Sequence, residues 1–333
     1  LGVPRSMLPC FAGAVLTAML RPFPHLASSR ASFLAIDALT LRTAGSAART
    51  RQPFRALGTA ERPQPRTPLE PLAPMPSGIL VVDKPANWTS NDVTTRIRNT
   101  LEKFCKKLGH RIMRKRRLKV GHGGTLDPLA TGVLVVGVGQ ACKQLSAYSQ
   151  GGKRYLAKAQ FGSETDTQDK TGNVTCTTGF EHVTLEALLD AAKPLTGEIM
   201  QRPPIYSALW KDGVRMHELA RAGKIEEADV ELRPVTVYDL QIQNFDPQQG
   251  SVELIASVSG GTYIRTLIVD LARSVKSSAH MTELRRLQHG PFASDSEGQI
   301  QVEPIQLKDF YDHAKLLKAM EETSELLANN VSQ

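Results

Sequence analysis

The chain has 333 residues, 41% hydrophobic and 22% charged, an ordinary globular composition with room for one large domain or two modest ones. No window approaches the roughly 20 apolar residues that a membrane-spanning helix needs, so no membrane partner is expected. The formal net charge of +8 is unevenly placed: residues 1–75 carry +6, the run 103–119 adds +9, and the remaining 241 residues carry −7. A mildly acidic body with two separate basic segments is not a generally cationic protein, and each segment needs its own explanation.

Residues 1–75 hold nine Arg, no Lys, three acids and ten of the 20 prolines, with no long apolar periodicity. The first residue is Leu1, and Met7, Met19 and Met75 are candidate starts. Up to Arg55 the stretch is rich in Arg and Ser and nearly free of acid, which is the composition of a mitochondrial presequence. The bland alternative is a disordered leader. Either way residues 1–75 stay outside the fold. A globular domain is expected over 76–300 and a helical tail over 301–333.

From Ser77 the texture becomes globular. Gly78–Val82 forms a short buried strand that Asp83-Lys84-Pro85 ends in a turn. Val93, Ile97, Leu101, Cys105 and Leu108 repeat at helical spacing, and Thr89 with Asp92 offers a capping box. That helix runs into the basic stretch 103–119, which holds nine Lys or Arg and no acid. A Gly-rich loop follows at 121–132, then a strand at 133–138. Tyr155, Ala157, Ala159 and Phe161 alternate as in a half-buried strand. A helix is expected at 184–192, strands at 234–242 and 252–258, a helix from Ile264 to Val275 and a helical stretch from Lys308 to Leu327. Strands and helices mix without regular alternation. An α+β fold is expected, with a mixed, largely antiparallel central sheet flanked by helices.

Gly137-Val-Gly139 lacks the third glycine of a dinucleotide fingerprint, and Cys142 stands where a phosphate-binding loop needs glycine before its lysine. Neither H-E-x-x-H nor G-x-S-x-G occurs. The four cysteines, Cys10, Cys105, Cys142 and Cys176, are far apart, with no C-x-x-C and no paired histidine spacing. Neither a metal site nor a disulfide framework is expected, and a reducing compartment fits best.

What stands out is Gly121-His122-Gly123-Gly124-Thr125-Leu126-Asp127-Pro128, part of a twelve-residue stretch with four glycines, one His and one Asp. Glycines let a ligand approach the backbone closely. Pro128 pushes Asp127 toward an extended conformation in which its carboxylate is displayed. Such a carboxylate can act as nucleophile or general base. On composition alone, Asp127-Pro128 is equally well a turn initiator and His122 a hydrogen-bonded loop residue.

This stretch resembles motif II of the TruB family of pseudouridine synthases, in the form of the eukaryotic tRNA pseudouridine-55 synthases. The likeness continues in Lys84-Pro85 with Thr89-Ser90-Asn91, in Lys153-Arg154-Tyr155 with Thr165–Asp169, and in Gln201–Ala208, similar to a proline-bearing active-site strand. Gly260–Leu267 and Leu284-Arg285-Arg286 with Gly290-Pro291-Phe292 complete it, in family order over roughly 77–292.

The resemblance implies that Asp127 is the catalytic aspartate and that Tyr155 stacks on the target base. It implies that Arg265 pairs with the carboxylate beside Tyr263, that His122 contacts the flipped-out RNA, and that Leu284 lines the pocket. Lys84 and Pro85 are expected to be structural support. The implied reaction needs no cofactor and no metal: it breaks the uridine N1–C1′ bond, turns the base and rejoins it through C5. The implied partner is the T-stem-loop of tRNA, with T-loop-like mRNA hairpins as further candidates; no guide RNA is expected, and the protein is expected to be a monomer. In the basic run, Arg114, Lys115, Arg116, Arg117 and Lys119 are candidate phosphate contacts. The same run resembles a nuclear-localisation cluster, so mitochondrial and nuclear pools are both expected, with a cytoplasmic one allowed. A non-catalytic RNA-binding protein or tRNA folding chaperone is the alternative from another class.

Overall fold

A computed structural model describes residues 73–115 and 117–331. The leader expectation for 1–75 falls almost wholly outside the described residues, as does Arg116. In chain order the elements are β1 (Gly78–Lys84), α1 (Ser90–Lys107), β2 (Val120–His122), β3 (Thr131–Val138), α2 (Leu145–Gln150) and β4 (Lys153–Phe161). Next come β5 (Ser163–Thr165), β6 (Val174–Thr177), α3 (Leu185–Ala192), β7 (Gly197–Gln201), β8 (Trp210–Lys211), β9 (Val214–Arg215) and α4 (Met216–Arg221). The remainder are β10 (Arg233–Asp246), β11 (Ser251–Val258), α5 (Ile264–Ser274), β12 (Ala279–His289), β13 (Phe292–Ala293), β14 (Ile300–Gln301) and α6 (His313–Val331).

One ten-stranded sheet organises these elements, in the order β1-β3-β12-β4-β11-β10-β7, with β2, β13 and β14 attached at its sides. All its ladders are antiparallel except β3 with β12 and β13 with β14. The expected α+β class and mixed, largely antiparallel sheet are therefore what the chain forms. β1 and β3 are apolar throughout because both their faces are covered. Leu80, Val82, Leu134 and Val136 meet α1 and α6 residues in one cluster. Ile79, Val81, Val133 and Val135 meet Phe292 and Ile300 in another. β4 alternates because one face only enters the main core: Tyr155, Ala157, Ala159 and Phe161 pack with Ile264, Leu267, Ile268 and Leu271 of α5.

α1 starts where Thr89 and Asp92 predict: the Thr89 side chain accepts from the Asp92 N–H, and the Asp92 carboxylate accepts from the Thr89 N–H. The C-terminal helix is present but split, as a 3-10 turn at Leu307–Tyr311 and then α6. Phe310, Leu316 and Met320 are buried against β1 and α1, so this segment belongs to the same core. The Gly-rich loop is shorter than expected, because Gly121-His122 and Thr131-Gly132 are drawn into strands and only 123–130 stay irregular. The proline-bearing segment is a strand only to Gln201; Pro203 and Pro204 lack the N–H groups that a ladder needs. No described helix is long and apolar enough to cross a membrane.

The decisive feature is a split along the inner edge of β3. β12 runs parallel to β3 only at Thr131 and Gly132, while β2 pairs with its far end at Val136–Val138. Between them the catalytic-loop candidate leaves the sheet. Gly132 sits where β12 crosses at closest approach: its φ is +103°, and a Cβ there would lie 2.2 Å from the Arg286 carbonyl oxygen. Only glycine fits such a position.

Candidate active site

The split leaves backbone groups of β3 without strand partners, and two buried side chains of β12 replace them. Arg286 donates from Nε to the Val133 carbonyl at 2.7 Å, and His289 Nδ1 accepts from the Val135 N–H at 3.2 Å. Both residues also reach the loop: Arg286 Nη2 donates to Gly124 O at 3.3 Å, and His289 Nε2 donates to Gly123 O at 3.1 Å. His289 is therefore held as the neutral tautomer with its proton on Nε2. Burial, with Arg286 and Lys153 nearby, holds its pKa well below the ordinary imidazole value.

The rest of the loop is pinned from the other side. Ser90 Oγ accepts from the Leu126 N–H at 2.9 Å and donates to Leu126 O at 3.3 Å. Lys84 Nζ donates to Pro128 O, Pro85 O and Trp88 O at 3.1, 2.8 and 2.6 Å, and the Asn87 N–H donates to Pro128 O at 2.8 Å. Burial lowers the Lys84 pKa to about 8 against the opposing pull of Asp127. Lys84 is thus the structural support expected of it, and it acts on the loop that carries Asp127.

Asp127 stands at the centre of this frame. Its Oδ2 lies 2.8 Å from Arg265 Nε and its Oδ1 accepts from Arg265 Nη2 at 3.3 Å. The aspartate side chain is 30% exposed and the arginine only 4%, so a partly exposed carboxylate rests on a buried cationic base. Arg265 is itself clamped, donating to Thr167 O at 2.8 Å and Tyr206 O at 3.1 Å. These four contacts use the forked geometry of the guanidinium and leave it little freedom. Gln201 holds the backbone of Tyr263 from both sides, accepting its N–H at 2.8 Å and donating to its carbonyl at 3.1 Å. This fixes the start of α5 and therefore the aim of Arg265.

Tyr155, Leu284 and Arg286 share one face of the sheet, since Arg286 pairs with Tyr155 and Leu284 with Ala157 across β12 and β4. Tyr155 and Leu284 join Leu126 and Ala130 in one apolar cluster, the floor beneath the loop. Arg286 and Tyr155 interact electrostatically across the two strands. Tyr263 is half-buried, and its phenol pKa is raised chiefly by burial. His122 lies on β2 opposite Val136; burial first, and then the Arg286 charge, lower its pKa. Its Nδ1 is buried and has no partner among the described residues. The fold thus brings Asp127, Arg265, Tyr263, Tyr155 and Leu284 to one place, with His122 within the electrostatic reach of Arg286, which also acts on Asp127.

The basic run is built differently. Arg114, Lys115, Arg117 and Lys119 are exposed. Arg117 is nonetheless committed, donating from Nε and Nη2 to Glu102 and from Nη2 to Asn99. Sequence reasoning assigned no role to Arg286, His289 or Ser90. Their signals are weak by nature, because each acts on backbone groups that only the fold exposes.

Two family models match the chain: the TruB family pseudouridylate synthase N-terminal domain over residues 110–264, and the tRNA pseudouridylate synthase B C-terminal domain over 265–327. Together they span the whole cleft. The chain belongs to the TruB family of pseudouridylate synthases. It is 41% identical over 221 residues to human pseudouridylate synthase TRUB1, covering 65% of this chain and 62% of that protein. It is 39% identical over 246 residues to tRNA pseudouridine synthase B of Syntrophotalea carbinolica (strain DSM 2380), covering 74% of each. The chain therefore spans less than two thirds of the human relative's length. Among solved structures, one from a Cbf5-Nop10-Gar1 complex aligns with a TM-score of 0.50 and 28% identity, covering 72% of this chain and 55% of that one. The boundary between the two TruB models falls between Ile264 and Arg265, so the Asp127–Arg265 pair joins the two halves of the family pattern.

Proposed function

We propose that this TruB-family chain is a stand-alone tRNA pseudouridine synthase that isomerises uridine 55 of the T-loop, with Asp127 as the catalytic carboxylate. The observation that carries this reading is the carboxylate displayed in the cleft and held at both oxygens by a buried arginine. Binding alone does not need that arrangement; a reaction at the sugar carbon does.

The target base must leave the stack, at a cost of a few kcal/mol. Tyr155, with Leu126 and Leu284 around it, supplies the apolar and aromatic floor that receives it. Cleavage of N1–C1′ builds positive charge on the sugar, which the Asp127 carboxylate stabilises. Asp127 either adds to C1′ or removes the 2′ proton to give a glycal. The freed base turns and C5 bonds to C1′ as the Asp127–C1′ bond breaks or, on the glycal route, as the 2′ proton returns; the C5 proton is lost and N1 gains one, so the product is an isomer and no redox partner enters. Arg265 keeps the carboxylate aimed without competing for the proton, because a guanidinium stays charged. The family resemblance gives His122 an RNA contact; its ring is half-buried on β2, with Nδ1 buried and unpartnered among the described residues. Arg114, Lys115 and Lys119 add phosphate contacts without sequence selectivity.

The test is pseudouridine mapping at single-nucleotide resolution on unmodified tRNA with wild type and Asp127→Ala. Conversion at position 55 by the wild type alone is expected. Tight tRNA binding without conversion by either protein would sink the enzyme reading and favour a folding chaperone. The same assay on T-loop-like mRNA hairpins decides whether they are substrates. Dual mitochondrial and nuclear targeting is supported by the acid-poor Arg-rich leader and the basic run, and a reporter fused to residues 1–75 that stays out of mitochondria removes the first address.

A further inference from the structure

Two adjoining cavities, of about 190 and 300 Å³, lie along the outward face of α1 and share Arg96 and Asn99. The first is walled by Lys103, Phe104 and Lys107 of α1 and by Tyr311 and His313 of the C-terminal segment. The second runs toward Asn87 and Trp88. That end touches the active site: the Asn87 N–H and Lys84 Nζ both donate to Pro128 O of the catalytic loop, and Lys84 Nζ also donates to Trp88 O. From there the groove follows a helix of 18 residues, about 27 Å long, toward the basic run.

Its chemistry is cationic and aromatic. Arg96, Lys103 and Lys107 are spaced by seven and four residues and so share one helix face. The acids nearby are engaged elsewhere: Asp92 caps Thr89, Glu102 holds Arg117 and Asp309 holds Lys315. Among the described residues, the three cations form no ion pair. The Arg96 guanidinium lies 4.6 Å from the Tyr311 ring centroid, Phe104 stacks on His313 at 4.4 Å, and Tyr311 remains 56% exposed. Unpaired cations beside exposed aromatic faces suit a nucleic-acid strand, whose phosphates take the charges and whose bases take the rings. Lys103 and Lys107 stand about 6 Å apart along the helix axis, close to the spacing of neighbouring phosphates on an extended strand.

We propose that this groove is a second RNA-binding site, which holds tRNA outside the T stem-loop while the target base occupies the Asp127 cleft. The proposal rests on the RNA-modifying reading above and adds the path of the RNA beyond the cleft. Arg96, Lys103 and Lys107 contact phosphates, and Tyr311 offers a stacking face.

The test compares Arg96→Ala/Lys103→Ala/Lys107→Ala with wild type on two RNAs, unmodified full-length tRNA and the isolated T-arm hairpin. For full-length tRNA, the Kd is expected to rise about tenfold and the slope of log affinity against log salt to fall by about 2. Conversion of the hairpin is expected to stay at the wild-type level, with an unchanged melting midpoint. Tyr311→Ala should weaken tRNA binding several-fold with the salt slope intact, because stacking releases no counterions. Wild-type tRNA affinity and salt slope in the triple variant would overturn the proposal and leave the groove to an acidic protein segment. Equal weakening on the hairpin would overturn it too, by confining the contacts to the T arm. If the wild type converts neither RNA, the enzyme reading falls while the binding comparison still decides the groove.

Discussion

The Asp127 loop at 123–130 and the basic segment at 108–119 are neighbours in sequence, both irregular and both at the rim of the same sheet, yet they are held in opposite ways. The loop is fastened through its own backbone by Arg286, His289, Ser90, Lys84 and Asn87. The basic segment is tied mainly at its end, where Glu102 accepts from Arg117 and from the Leu118 N–H, and Lys119 O accepts from the Gly139 N–H. The difference follows from the chemistry asked of each. On the proposed reading, a carboxylate that meets one sugar carbon gains from being fixed in advance. A positive charge that meets a phosphate loses little by moving, because its interaction is long-ranged and undirected.

The comparison can be broken most severely at Arg286. Replacing it by Met leaves Val133 O and Gly124 O without their buried donor, and stability should fall by about 3 kcal/mol, read from the urea midpoint. Turnover should fall with it, because the loop loses an anchor; full activity in a destabilised variant would show that the loop does not need fixing. Arg265→Lys comes next. The charge survives, but one ammonium cannot serve both Asp127 oxygens, Thr167 O and Tyr206 O. The rate constant on tRNA should drop about 100-fold with little change in tRNA affinity.

His289 sharpens the comparison through pH. Its pKa in the fold is well below 6.5, so as pH falls below 6.5 the unfolded chain takes up a proton that the folded protein refuses. Stability should then be lost by up to about 1.4 kcal/mol per pH unit from this group. Urea unfolding at pH 7 and pH 5.5 measures that slope, and His289→Gln should reduce it by one proton. The smallest effect belongs to the basic segment. Arg114→Ala/Lys115→Ala should weaken tRNA binding about threefold, lower the salt slope by about 1.5 and leave the melting midpoint unchanged. A large loss of folding stability there would mean that the two regions are not built differently after all.

How much of this was legible beforehand varies by element. α1 was readable to its cap, because Thr89 and Asp92 need only each other and the local backbone. β4 was readable because one buried face imposes alternation. β12, the strand that makes the site, was not read as a strand. Its register shifts between Met281 and Glu283 and again between Arg286 and Gln288, and its buried positions include an arginine and a histidine. Both features erase the periodic apolar signal. The site residues Asp127, Tyr155, Tyr263, Arg265, His122 and Leu284 were named through the family resemblance, and the fold brings the first four and Leu284 together.

The sequence by itself determined where the chain must bend and which strands are covered on both sides, since these follow from residue type and near neighbours, and its family resemblance singled out the candidate site residues. Only the tertiary structure decided that β3 is left half-paired, that Arg286 and His289 complete it, and that Arg265 reaches Asp127 across 138 residues of chain. Those contacts depend on backbone groups whose need for a partner does not exist until the sheet has formed.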